Sequence, residues 1–199
     1  MEEKNYPAQS SSLKVILAFI VLCFSFSAIL GYLYGGEVAE VVEEVLRRIF
    51  GGEGSGEINP FLLTLLILVN NAVKSFLIIP LGALLAIPPI LFITFNGFLL
   101  GVFTYLSVKK LGEIGFLYIL IAIIPHGVFE LSAVFLSSAL SIRVGLTVFL
   151  KFKGKNISVG SEIRRDLKTY LHKILPLLII AAIIEAFITP VIISIFFPT

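Results

Sequence analysis

Apolar residues in this chain come in long runs, and polar residues gather between the runs with few exceptions. A helix that crosses a bilayer needs about 20 predominantly apolar residues. Val15 to Tyr34 supplies one such run. Its apolar region is too long for a secretory signal and further hydrophobic segments follow, so it is expected to remain as a span. Phe61 to Leu106 is too long for one crossing and suits two. Pro80, Gly82, Pro88 and Pro89 interrupt it, which predicts spans over 60–79 and 83–108. Gly115 to Leu150 is again long for a single crossing, with Pro125-His126-Gly127 inside it. Either one long broken helix or a short re-entrant segment followed by a full helix is expected there. Leu171 to Phe197 forms the last span. The pattern predicts an all-α polytopic membrane protein with five transmembrane spans and broken helices; six spans is the rival count.

One helix of a different kind is expected between the first two spans. From Val38 to Phe50 the apolar positions are 38, 41, 42, 45, 46, 49 and 50, which is helical spacing with charges on the opposite face. Glu43–Arg47 and Glu44–Arg48 are i,i+4 pairs of favourable polarity. The apolar stripe packs on the membrane or the protein's own spans, or else docks a partner. The run GGEGSGE (51–57) follows as a flexible linker, and Asn59 and Pro60 suit the cap and first turn of the next helix.

Composition agrees with this pattern. Of 199 residues, 58% are hydrophobic and 14% charged, against about 25% charged in soluble proteins, and the mean hydropathy is +1.05. The whole of 1–199 therefore reads as a single integral membrane domain. The net charge of +2 gives no reason to expect a nucleic-acid partner. Cys23 stands alone, so neither an internal disulfide nor a cysteine metal cluster is expected.

Charge placement sets an expected orientation. Segment 151–173 holds Lys151, Lys153, Lys155, Arg164, Arg165, Lys168 and Lys173, which reads as a basic cytoplasmic loop. Five crossings then put residues 1–14 in the cytoplasm and the C-terminus outside. The 37–58 helix and linker, with six glutamates against Arg47 and Arg48, fall on the extracytoplasmic side of a cell membrane. Lys109 and Lys110 are the local exception.

A few polar residues lie inside the spans, where a charge costs about 3 kcal/mol or more and marks interior packing or function. They are Asn70, Asn71, Lys74, Asn96, His126, Glu130 and Glu185. At about 1.5 Å per helical residue, they fall near the middle of their segments. Lys74 lies one turn from Asn70 and suits a carboxylate partner. His126 and Glu130 are i,i+4 and share a face if the helix continues through Gly127. That pair, with Glu185 as a third ligand, could seat a metal; one i,i+4 pair is a weak signal, and neither metal nor cofactor is assigned. The alternatives are a helix-end acid near backbone groups freed by Pro125, a buried structural network, and a proton, ion or small-molecule path. Pro80, Gly82, Pro125 and Gly127 are read as helix breaks. Gly97 and Gly101, spaced G-x-x-x-G, allow close helix approach.

Three of these elements together are familiar. Asn70-Asn71, ITFNGFLLG (93–101) and IIPHGVFELSAVFLSSALSIRVG (123–145) resemble the stage II sporulation protein M family. The resemblance runs from the first span to the fifth, and Asn70, Asn96, Gly97, His126, Gly127 and Glu130 match its motifs. It implies a polytopic helical membrane protein. The sporulation member acts as an anchor or organiser for two peptidoglycan-degrading partners and is not the hydrolase itself.

Two functions follow as expectations. The first is a membrane scaffold or assembly factor without catalytic activity, recruiting partners through the outer helix 38–50 or the basic loop 151–173, with a homodimer as default assembly. The second is a proton- or cation-coupled transporter or channel using His126, Glu130 and Glu185. An intramembrane enzyme is not expected, because no nucleophile arrangement or multi-ligand metal motif is present.

Overall fold

A computed structural model describes residues 8–50 and 60–197. Among these residues every regular element is helical: α1 (Ala8–Leu33), α2 (Gly35–Phe50), α3 (Pro60–Leu81), α4 (Ile87–Leu111), α5 (Ile114–Phe152), α6 (Val159–Thr169), α7 (Leu175–Ile183) and α8 (Thr189–Phe196). Two π-helical turns, Tyr170–Ile174 and Ile184–Ile188, join α6, α7 and α8 into one rod, Val159–Phe196. Five helices are long and apolar enough to cross a membrane, as the hydropathy pattern predicts.

Proline decides the local geometry in three ways. At Pro80 the helix runs one residue further, to Leu81, before the chain reverses over Gly82–Ala86. Leu85 and Ala86 carry φ angles of 55° and 62° there, left-handed backbone that L-residues resist. At Pro125 the expected break does not occur: α5 is continuous from Ile114 to Phe152, and no re-entrant segment forms. A proline orphans one carbonyl, here that of Ile121; a break in a lipid-facing segment would orphan several. In the last span the ladder widens instead. The Leu175 amide donates to the Tyr170 carbonyl and the Thr189 amide to the Ile184 carbonyl, both five residues back. Each wide turn stands just ahead of a proline, Pro176 and Pro190, whose missing N–H already removes one bond from the ladder.

Helix α5 is the hub, touching α1, α3, α4, α7 and α8. Its partner surfaces are made of small residues. Ser75, Ser137, Ser138, Ala139 and Ser141 are fully buried, and the Ser141 hydroxyl donates to the Ile78 carbonyl on α3 at 2.5 Å. A Cβ on Gly82 would overlap the Ser141 carbonyl, and one on Gly145 would meet Ala86, so the α3–α4 turn seats directly on α5. Gly97 and Gly101 serve a different contact. A Cβ on either would overlap the backbone of α1 at Phe24 or Ala28, which makes the G-x-x-x-G spacing an intramolecular α1–α4 seam. Ile16, Ile20, Phe24, Ile93, Val134 and Ile142 fill the core beside it.

At one end of the bundle the first half of α2 folds back onto α4, burying Ala39 against Val102 and Leu106 with Val38 and Val42 alongside. Part of the apolar stripe thus packs on the protein's own span. The side chains of Glu43, Arg47 and Arg48, the linker 51–57 and Asn59 lie outside the described residues.

The opposite end differs from the predicted loop. Segment 151–173 is mostly helical: α5 continues to Phe152, residues 153–158 make the turn, and α6 returns alongside. Ser158 caps α6 by accepting the Ser161 amide at 3.3 Å. The hairpin is bolted by ions. Arg143 lies 3.0 Å from Glu162 and pairs with Asp166, while Arg165 pairs with Glu162 and lies 3.4 Å from Asp166. Helix α5, at 39 residues, is about 58 Å long at 1.5 Å per residue, nearly twice the hydrocarbon thickness. The hairpin therefore projects beyond the bilayer on the side of the α3–α4 turn.

Candidate functional site

Helix α3 is a ruler for depth. Its 22 residues span about 33 Å, close to the thickness of the hydrocarbon core. Asn71 is 11 residues from Pro60 and 10 from Leu81 and so sits at mid-span. Its Nδ2 donates to Glu130 Oε1 on α5 at 2.9 Å, which brings Glu130 to the same depth. Asn70 Nδ2 donates in turn to Asn71 Oδ1 at 3.2 Å.

Continuity of α5 through Pro125 puts His126 and Glu130 on one face, with His126 Nε2 4.0 Å from Glu130 Oε2. The other ring nitrogen, Nδ1, lies 3.3 Å from the hydroxyl of Thr189. Glu185 stands in the second π-helical turn. One ligand atom from each of His126, Glu130 and Glu185 lies within 4.8 Å of the others. All three side chains are partly buried.

Two of the residues singled out from sequence sit elsewhere. Asn96 donates to the Phe92 carbonyl of its own helix at 2.6 Å. It lines an open groove of about 380 Å³ between α3 and α4, together with Lys74. Lys74 is exposed in that groove and makes no direct ion pair among the described residues; its charge acts on Glu130 through space. Gly127 is buried, and a Cβ there would meet a side-chain methyl of Ile123, so its role is packing rather than a break.

Other polar residues were not singled out from the pattern. Thr189 is one; its signal is a hydroxyl immediately before Pro190 in an apolar run. Tyr170 is another: its hydroxyl donates to the Ala72 carbonyl at 2.9 Å, tying the first π turn to α3 one residue from Asn71. Asp166, fully buried and paired with Arg143, was hidden among basic neighbours. Its i,i+4 relation to Glu162 is the trace it leaves in the sequence.

The family model for stage II sporulation protein M matches residues 18–190. The chain belongs to that family. A protein of Methanocaldococcus jannaschii, described as uncharacterized, is 32% identical over 126 residues, covering 62% of this chain and 69% of the relative. No solved structure matches the chain. Family membership, with five apolar helices, makes this a multi-pass membrane protein.

Proposed function

We propose that this family member is a membrane scaffold that organises partner proteins and has no catalytic activity of its own. The observation that carries the reading is how the mid-span polar groups are used. Asn71 is spent on Glu130 and His126 on Thr189, each bond joining two different spans. Cross-helix bonds of this kind fix one packing in a medium that offers no water as an alternative partner. The grooves of about 530 and 790 Å³ are lined by apolar side chains of α1, α4 and α5, and neither they nor the Lys74 groove reaches His126, Glu130 or Glu185.

The same reading places the basic segment 151–173 and the N-terminus in the cytoplasm, with acidic α2 and the C-terminus outside. The two charged appendages then offer partner surfaces on opposite sides of the membrane. A homodimer is the assembly proposed. Labelling single cysteines at Lys155 and Glu40, in a background lacking Cys23, tests the orientation: only the second should react with an impermeant reagent from outside.

A second reading, a proton- or cation-coupled carrier, draws on the convergence of His126, Glu130 and Glu185 within 4.8 Å at mid-span. Proteoliposome flux separates the two. A scaffold gives proton and cation flux no higher than empty liposomes. Flux in the parent that vanishes in the E130Q/E185Q variant would replace the scaffold with a carrier.

A further inference from the structure

The geometry points to a binding site for a divalent transition-metal cation, with Zn²⁺ the best-suited ion, formed by His126 Nε2, Glu130 Oε2 and a carboxylate oxygen of Glu185. The inference goes beyond the scaffold reading and does not depend on it: metal uptake and ion flux fail independently.

Two of the three ligands are held from behind. Glu130 Oε1 accepts from Asn71 at 2.9 Å, which leaves Oε2 turned toward His126. His126 Nδ1 is engaged by Thr189 at 3.3 Å, which leaves Nε2 turned toward Glu130. Metal-binding histidines are oriented in this way, by a polar partner on the second ring nitrogen. The two facing atoms are 4.0 Å apart, beyond hydrogen-bond range and about 0.6 Å wider than two ligands of one tetrahedral ion. A tetrahedral ion with bonds of about 2.0–2.1 Å holds its ligands about 3.4 Å apart. One ligand atom from each of the three residues lies within 4.8 Å of the others, so the set would draw in by up to about 1.4 Å around an ion.

Two features of the backbone create this arrangement. The unbroken helix at Pro125 aligns His126 with Glu130, and the π-helical turn Ile184–Ile188 presents Glu185 to them. π turns of this sort recur at functional sites. Charge supplies the remaining argument. Two carboxylates meet at mid-span, where charge is expensive, and Glu130 and Glu185 act on each other electrostatically. The nearby cation, Lys74, is exposed at the groove and makes no direct ion pair among the described residues. A bound divalent ion neutralises both carboxylates at once. One imidazole with two carboxylates suits zinc and its first-row neighbours better than magnesium or calcium, which favour all-oxygen sets of six or more.

The test uses the full chain, free of any histidine tag, in nanodiscs and stripped with a chelator. Titration with Zn²⁺ against a chromophoric competitor should show one ion per chain. H126Q and E185Q should each weaken uptake more than 100-fold. T189V, which removes only the orienting hydroxyl, should weaken it roughly 10–100-fold. H172Q, at an exposed histidine on the last rod, should bind like the parent. X-ray absorption of the zinc-loaded parent should give nitrogen and oxygen ligands with one imidazole, and this needs no variant to fold. A parent that takes up no stoichiometric zinc overturns the proposal, as does uptake indifferent to both H126Q and E185Q. So does a spectrum with sulfur or two imidazoles.

Discussion

Replacing Arg143 by Met should be among the most damaging single changes in the chain. Asp166 has no exposed surface, and Arg143, only 16% exposed, is its main counter-ion. The second cation, Arg165, is 42% exposed and reaches Asp166 at 3.4 Å, so it contributes at most about 1 kcal/mol. Without Arg143, Asp166 is left buried with that weak partner, and Asp166 Oδ2 already has no hydrogen bond among the described residues. Breaking a buried pair from one side costs about 3–5 kcal/mol. The part-exposed Arg143 and the residual Arg165 contact argue for the low end, about 3 kcal/mol or roughly a hundredfold in the folding equilibrium. The assay is reversible unfolding in mixed micelles, with α5–α6 opening followed by proteolysis between residues 152 and 159. The double variant R143M/D166L removes both charges and should recover at least half of the loss, because the desolvation cost disappears along with the attraction. A loss under about 1 kcal/mol for R143M, or a double variant worse than the single, would refute the account of the hairpin as ion-bolted.

Three further outcomes follow from packing and backbone. G101A pushes a methyl into the Ala28 carbonyl of α1 and should cost about 1–3 kcal/mol in the same unfolding assay, whereas G160A, which meets nothing within contact, should be neutral. L85G relieves left-handed backbone at a side chain 54% exposed, and should raise stability by up to about 1 kcal/mol. N71A removes the bond to Glu130 and should cost about 0.6–1.7 kcal/mol, the range for interhelical hydrogen bonds in membranes, with N71A/E130A costing less than the two singles added together.

Much of the fold can be read from residue order because lipid imposes simple demands. A run of about 20 apolar residues must become a helix, since no other open structure satisfies its backbone in hydrocarbon. That reasoning locates the five spans and the amphipathic α2. It misjudged Pro125, where the same demand for backbone satisfaction keeps the helix whole. It also read 151–173 as a loop, because positive charge marks a segment as outside the bilayer without saying whether it is helical; here α6 is held by Arg143, 23 residues away from Asp166 in sequence. Of the intramembrane polar residues, Asn70, Asn71, His126, Glu130 and Glu185 lie together, while Asn96 turns back on its own helix and shares a groove with Lys74. Depth along each helix is a matter of counting, but the direction a side chain faces depends on helix rotation.

Sequence alone determined where the apolar segments lie, their depth markers and the small-residue spacings, because those depend on local hydropathy and side-chain size; it left five spans and six both open. Tertiary structure decided which markers meet. Two extra-wide turns in the last rod rotate Glu185 and Thr189 toward His126, and the α1–α4 seam buries Gly97 and Gly101 within one chain. Rotation of one helix about its axis changes no residue's hydropathy, so it leaves no trace in the order of residues until the neighbouring helices are in place.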